Sequence, residues 1–215
     1  MNRPTPFLAL AAIVAASFAA LAVAVETNLV AGVDETIRMD LHALASPSLT
    51  VLAQGVTWLG TLLVLALVGG VAVAAFFRAR RRHDIIFLGV TMIGALALEN
   101  GLKYSFQRAR PPPFFGAEPE TFSFPSGHAL FSLCLYGALA IAATRSTLST
   151  PVKAGVWIAT LALVSAIGAT RIYLGVHYPS DVLGGYLVAT AWLCLVLAGE
   201  RRLAGRRATR PDLLF

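Results

Sequence analysis

Arg171-Ile-Tyr-Leu-Gly-Val-His177-Tyr-Pro-Ser-Asp181 lies between two apolar runs, each long enough for a membrane helix. An arginine, a histidine and an aspartate at the edge of a bilayer are costly to place there unless they act. Pro179 suits a first helical position, where its missing N–H costs nothing. His177 then falls just outside a helix start and Asp181 in its first turn, close enough to bond. A carboxylate bonded to one imidazole nitrogen fixes the tautomer and leaves the other nitrogen free as nucleophile or base. Arg171 precedes His177 by six residues and is within reach of an anion at the same spot. Together the three residue types point to phosphoryl transfer.

Composition places the chain in the membrane. It has 215 residues, 57% hydrophobic and 13% charged, with a mean hydropathy of +0.74. Soluble domains carry about 25% charged residues, so a soluble fold is disfavoured. A net charge of +6 would suggest nucleic acid in a soluble protein. Here the basic residues cluster in short loops between apolar runs and in the tail, which is the membrane-orientation pattern, and no nucleic-acid partner is expected. Cys134 and Cys194 both fall inside apolar runs and read as inert buried thiols rather than a disulfide.

Six runs approach the roughly 20 residues needed to span a bilayer. They are Phe7–Val25, Thr57–Phe77, Ile85–Leu102, Ala129–Thr144, Ala154–Thr170 and Val182–Gly199. The fourth and fifth are short, and neighbouring residues are expected to extend each by a turn. The expected fold is all-α, a bundle of six transmembrane helices in a single domain over residues 1–215, with its polar segments in a core of about 85–199. The first run resembles a signal peptide, with Arg3 before it and Ala22-Val-Ala24 near its end. Its 19 residues exceed the roughly 7–15 of a signal core, so a retained anchor is expected.

Orientation follows from lysine and arginine. Arg3, the Arg78–Arg82 cluster, Arg145, Lys153 and the arginines from Arg201 to Arg210 put twelve basic residues on one side. Arg38, Lys103, Arg108, Arg110 and Arg171 put five on the other, beside an acidic loop from Glu26 to Ser48. Both termini are expected in the cytoplasm and the His177 loop outside it.

The same outer side carries two further polar segments. Lys103-Tyr-Ser-Phe-Gln-Arg-Ala-Arg110-Pro111 ends the third run. Lys103 and Arg110 share a face if the helix continues, although Pro111 biases Arg110 out of it. Taken singly, either residue reads as a snorkelling interfacial base. Pro125-Ser-Gly-His128 opens the fourth run, with Ser126 as N-cap. Backbone N–H groups at a helix start, approached closely past Ser126 and Gly127, make an anion site, and His128 stands over it. Glu99 is four residues before Lys103 and reads as its helical partner. Pro111-Pro-Pro-Phe-Phe115 reads equally as a rigid connector or as an interfacial loop that admits a lipid tail. His42 and His83 stand alone and carry no assignment.

Lys103-x6-Arg110-Pro111, Pro125-Ser-Gly-His128 and Arg171-x5-His177-x3-Asp181 together resemble the three-part signature of the type 2 phosphatidic acid phosphatase (PAP2) superfamily. Its members include membrane lipid phosphatases, undecaprenyl-pyrophosphate phosphatases, glucose-6-phosphatase and vanadium haloperoxidases. Thr170 stands where the family usually has serine before the third-segment arginine, and a hydroxyl is retained. The resemblance implies that Lys103, Arg110 and Arg171 bind phosphate oxygens with Ser126 and the Gly127 N–H. It implies that His177 is the nucleophile forming a phosphohistidine, that Asp181 orients it, and that His128 protonates the leaving group. Three cations and helix-start N–H groups suffice for such a transfer without a metal. Three cations at one spot also repel a divalent ion, although His128, His177 and Asp181 are possible ligands. No cofactor and no metal are expected.

The expected substrate is a lipid phosphate or pyrophosphate entering sideways from the bilayer: phosphatidic acid, undecaprenyl pyrophosphate or phosphatidylglycerol phosphate. The expected partners are that substrate and membrane lipids, in a bacterial plasma membrane. The rival is a lipid or anion transporter, which would have no need of the His177–Asp181 pair or of His128. No oligomeric state is read from the sequence.

Overall fold

A computed structural model describes residues 6–116 and 120–209, with side chains as far as 204. Arg3 and Arg210, both counted above towards orientation, lie outside the described residues. The described residues form eight helices: α1 Pro6–Glu26, α2 Ala31–Ala43, α3 Pro47–Trp58, α4 Leu62–Arg78, α5 Arg82–Phe106, α6 Gly127–Thr144, α7 Thr150–Tyr173 and α8 Pro179–Thr209. The expected all-α membrane bundle is the observed one. Among the described residues α1, α5, α6, α7 and α8 are each long and apolar enough to cross a membrane, and α3 with α4 meets the same test only as a pair, bent by 48° at the break, which gives six when the pair is counted as one span. The fourth and fifth runs gain residues at their ends, as α6 and α7 of 18 and 24 residues.

α6 is the central helix. It is buried on several faces and packs against α5, α7 and α8, while α1 lies along α8. Leu65, Phe87, Leu130, Leu135, Val188 and Leu193 form the main core. The outer face of the bundle is apolar too: Ile13, Leu63, Val71, Phe77, Ile93 and Ile158 are all exposed. Side chains that water would reject cover the surface, as a bilayer requires.

Two segments differ from the sequence reading. The second run does not form one helix. Thr61 caps α4 through a bond from the Val64 N–H at 3.5 Å, so the chain restarts at Leu62. Gly60 sits at the break, where a Cβ would stand 2.6 Å from Ile167 and 2.9 Å from His128. Only glycine lets the break press against the start of α6 and the end of α7. The stretch read as an acidic loop, from Glu26 to Ser48, contains α2. This 13-residue helix buries Asp34 and Arg38 and exposes Val33, Ile37 and Met39. Asp34 and Arg38 are turned to the protein.

Candidate active site

The C-terminal ends of α5 and α7, the N-terminal ends of α6 and α8 and the α3–α4 break meet at one end of the bundle. They enclose a cavity of about 360 Å³ whose lining includes Glu99, Lys103, Arg110, Thr121, Gly127, His128, Arg171 and His177.

His177 reaches it from the turn between α7 and α8. Gly175 makes that turn with a φ of +79°, and a Cβ there would lie 2.5 Å from the Phe114 nitrogen. The Phe114 N–H donates to the Leu174 carbonyl at 3.1 Å, so the turn is held against the 107–115 segment. His177 Nδ1 stands 3.3 Å from Asp181 Oδ2. A carboxylate there only accepts, so Nδ1 carries the proton and Nε2 presents its lone pair. Arg110 lies 3.0 Å from that Nε2 and also donates to the Val176 carbonyl at 2.8 Å. Burial pushes the His177 imidazole down to about 4, with Asp181 opposing and Arg110 and Arg171 reinforcing the shift. The ring is therefore neutral at neutral pH.

Asp181 is fully buried and richly bonded. Its Oδ2 accepts from Ser123 Oγ in a short hydrogen bond and from the Tyr178 N–H at 2.8 Å. Its Oδ1 accepts from Arg108 at 2.6 Å. The Asp181 carbonyl accepts from the Ser126 N–H at 2.9 Å, tying the starts of α6 and α8 together.

The cations arrive from three elements. Lys103 Nζ, on α5, is 2.8 Å from Glu99 Oε1, the helical pairing expected from their spacing. The Gly127 position explains why that pair stays formed: a Cβ there would stand 2.9 Å from Glu99 Oε1. Arg171, on α7, donates to Thr57 Oγ1 at 2.8 Å. Arg110 does not share a helix face with Lys103. α5 stops at Phe106, Gln107 turns left-handed at φ 45°, and Arg110 comes in from an extended segment held on Thr121 and Phe122. Ser126 occupies the N-cap position of α6, but its hydroxyl makes no cap bond. Ser126 Oγ, His128 Nε2 and Arg171 Nε are buried without a partner among the described residues. Buried polar atoms are normally paired, so three unpaired ones at one end of the bundle call for an explanation. No group of three or more metal-ligand side chains is gathered there among the described residues.

The sequence reading passed over Asp34, Arg108, Ser123 and Ser180. Arg108 joins Asp34 Oδ2 at 2.9 Å, Ser180 Oγ at 2.7 Å and Asp181, and it lies 4.3 Å over the Tyr178 ring. Burial alone would lower its pKa, but the two carboxylates outweigh burial and raise it. His42 and the 111–115 loop are also packed: His42 stacks on Phe114 and Phe115 on Tyr173.

Residues 84–203, more than half of the chain, match the PAP2 superfamily. The chain is 30% identical over 188 residues to phosphatidylglycerophosphatase B of Bacillus subtilis strain 168, covering 86% of this chain and 92% of that one. It is 31% identical over 172 residues to a decaprenylphosphoryl-5-phosphoribose phosphatase of Mycobacterium tuberculosis, covering 75% and 87%. The crystal structure of a transmembrane PAP2-type phosphatidylglycerolphosphate phosphatase from Bacillus subtilis superposes with a TM-score of 0.83 at 28% identity, over 89% of this chain and 96% of that one. The protein belongs to the PAP2 superfamily and is an integral membrane protein.

Proposed function

We propose that this protein is a membrane phosphatase that removes phosphate from a lipid phosphate or pyrophosphate through a phosphohistidine on His177. The observation that carries the reading is the His177–Asp181 pair, 3.3 Å apart, with His177 at a cavity lined by Lys103, Arg110 and Arg171. Lys103, Arg110 and Arg171 hold the phosphate oxygens with Ser126 and the Gly127 N–H. His177 Nε2 attacks phosphorus, and the bond from phosphorus to the leaving oxygen breaks. Asp181 balances the positive charge that grows on the imidazole. His128 Nε2 gives a proton to the leaving oxygen and then takes one from the water that releases phosphate from His177. The three cations offset the charge on the transferring group, so the reaction proceeds without a metal. The direct experiment is phosphate release by pure protein in detergent from phosphatidic acid, undecaprenyl pyrophosphate and phosphatidylglycerol phosphate. Lipid movement without phosphate release would point to a transporter instead. Activity is expected to persist in EDTA and to be inhibited by vanadate, which mimics five-coordinate phosphorus. Loss in chelator with recovery on adding a divalent ion would overturn metal independence.

The lipid tail lies in an apolar groove of about 380 Å³ between α4, α5 and α6. The groove shares Leu62, Leu96 and Phe131 with the catalytic cavity, so one ligand can occupy both. Its course along α4 from Leu62 to Val73 is about 16 Å at the helical rise. Gly89 lines it, with nothing within 4 Å of a Cβ built there. Gly89→Leu is therefore expected to fill the groove without a clash. KM for a long-chain lipid phosphate should rise about tenfold or more, as loss of several buried methylenes implies, with p-nitrophenyl phosphate hydrolysis unchanged. Equal effects on both substrates would place the tail elsewhere.

The site faces the extracytoplasmic side of a bacterial plasma membrane, with both termini in the cytoplasm, on the strength of the basic-residue asymmetry. Cys134 and Cys194 are buried, so an introduced cysteine reports cleanly. An impermeant thiol reagent is expected to label a cysteine at exposed Glu120 in intact cells, and one at Arg80 only after lysis. Labelling at Arg80 from outside would reverse the orientation.

A further inference from the structure

α2 carries Asp34, Arg38 and His42 at every fourth position, so the three share one face. All three meet the catalytic end of the bundle. Arg38 donates to the Pro112 carbonyl at 3.1 Å and lies 4.2 Å over the Phe114 ring, on which His42 stacks at 3.8 Å. Asp34 goes deeper. It is 2% exposed, and its Oδ1 accepts from the Ser180 N–H at 2.9 Å. Its Oδ2 accepts from Ser180 Oγ at 2.5 Å and from Arg108 at 2.9 Å. Ser180 adjoins Asp181, and the other nitrogen of Arg108 is 2.6 Å from Asp181 Oδ1.

We propose that Asp34 is a positioning residue for the nucleophile, acting through Arg108 and Ser180 on Asp181 and so on His177. This rests on the reading of His177 and Asp181 as the reacting pair. The chemistry is a division of charge. Asp181 must hold the His177 Nδ1–H and balance the positive charge that grows on the ring as Nε2 attacks. Arg108 sits against the same carboxylate and draws on the same negative charge. With Asp34 on its far side, Arg108 is shared between two carboxylates and Asp181 keeps more of its charge for His177. The Ser180 bonds also fix the first turn of α8, from which Asp181 projects. An anchor for α2 alone needs no buried carboxylate. Arg38 and His42 already dock the helix.

The charged and titratable groups facing His177 are Asp181 on α8, Arg110 on the 107–115 segment, Arg171 on α7 and His128 on α6. None of them is altered by Asp34→Asn. That variant keeps the shape and an acceptor for the Ser180 N–H but loses the charge. On p-nitrophenyl phosphate and on a lipid phosphate alike, kcat is expected to fall about tenfold or more, with KM within about threefold, since the chemical step is affected and binding is not. The acid limb of the kcat/KM profile should move to lower pH, because the imidazolium loses support. Arg108→Gln should move the same limb to higher pH, because a competing cation is removed from Asp181. In the double variant the Asp34 substitution should cost little beyond Arg108→Gln, since residues acting through one another are not additive.

Wild-type kcat and an unmoved acid limb in Asp34→Asn would overturn the proposal. So would penalties that multiply in the double variant. So would the same loss with an unmoved limb in Arg38→Met, which undocks α2 without touching Arg108. If Asp34→Asn does not fold, the direction of the limb in Arg108→Gln decides. Retained activity in His177→Ala would instead refute the underlying assignment, and it is measured separately.

Discussion

His177→Ala is expected to release no phosphate above background from either a lipid phosphate or p-nitrophenyl phosphate. Without the imidazole no covalent intermediate forms, and the identity of the leaving group ceases to matter. The loss should be at least on the order of 10⁴-fold, the scale set by removal of a covalent nucleophile in hydrolases. Asp181→Asn should lose less, because the imidazole remains but the proton on Nδ1 is poorly held. The wild-type enzyme supplies a second check. Attack needs a neutral ring, and burial, reinforced by Arg110 and Arg171 against Asp181, holds His177 at about 4 instead of 6.5. Being protonated only as pH falls through that lowered value, His177 should sustain kcat/KM well below pH 6.5, with an acid limb approaching about 4. A limb centred on 6.5 would mean that the nucleophile is more hydrated than its burial implies. Quenched acid-labile phosphate on the wild-type protein, absent from His177→Ala, would locate the intermediate directly.

The residues of the cavity were legible because they sit where water cannot explain them. Arginine, lysine and histidine at the ends of apolar runs stand out against their surroundings, and Pro179 places the helix start that brings His177 and Asp181 together. The supporting residues carry no such mark. Arg108 is two positions from Arg110 and has the look of one more interfacial base. Asp34 is 146 residues from Ser180 in sequence, and nothing local announces the contact. α2 is harder still. Amphipathic reading assumes that apolar side chains turn inward, whereas Val33, Ile37 and Met39 face out and Asp34 and Arg38 face in. Beside a bilayer the usual assignment of faces is inverted. The α3–α4 break is hidden for a related reason: Gly60 and Thr61 interrupt the helix without interrupting the apolar run. The helix does not continue to Arg110 because Gln107, with a side chain that favours helix, adopts the left-handed conformation at which the chain leaves α5.

His128→Ala is expected to separate the two histidines by their dependence on the leaving group. His128 opens α6 with Nε2 buried, unpartnered among the described residues and at the cavity that holds the three cations. A proton donor there matters in proportion to the basicity of the oxygen that departs. A lipid alkoxide is a poor leaving group and needs the proton as the bond breaks. A nitrophenolate leaves readily without one. Removal of a general acid typically costs about 10²–10⁴-fold, so His128→Ala should lose that much on a lipid phosphate and recover most of it on p-nitrophenyl phosphate. His177→Ala should recover nothing on the change of substrate. The two proposed roles also require opposite protonation states, a neutral ring for attack by His177 and a charged one for donation by His128. The wild-type profile on a lipid phosphate should therefore be bell-shaped. In His128→Ala the profile should keep only the limb that reports His177. In the proposed mechanism His128 is the base in breakdown of the phosphohistidine, so on p-nitrophenyl phosphate the variant should show a burst of nitrophenol followed by a slower steady rate. Equal deficits on both substrates for both alanine variants, with no burst, would show that the histidines have been assigned the wrong roles even where phosphate is still released.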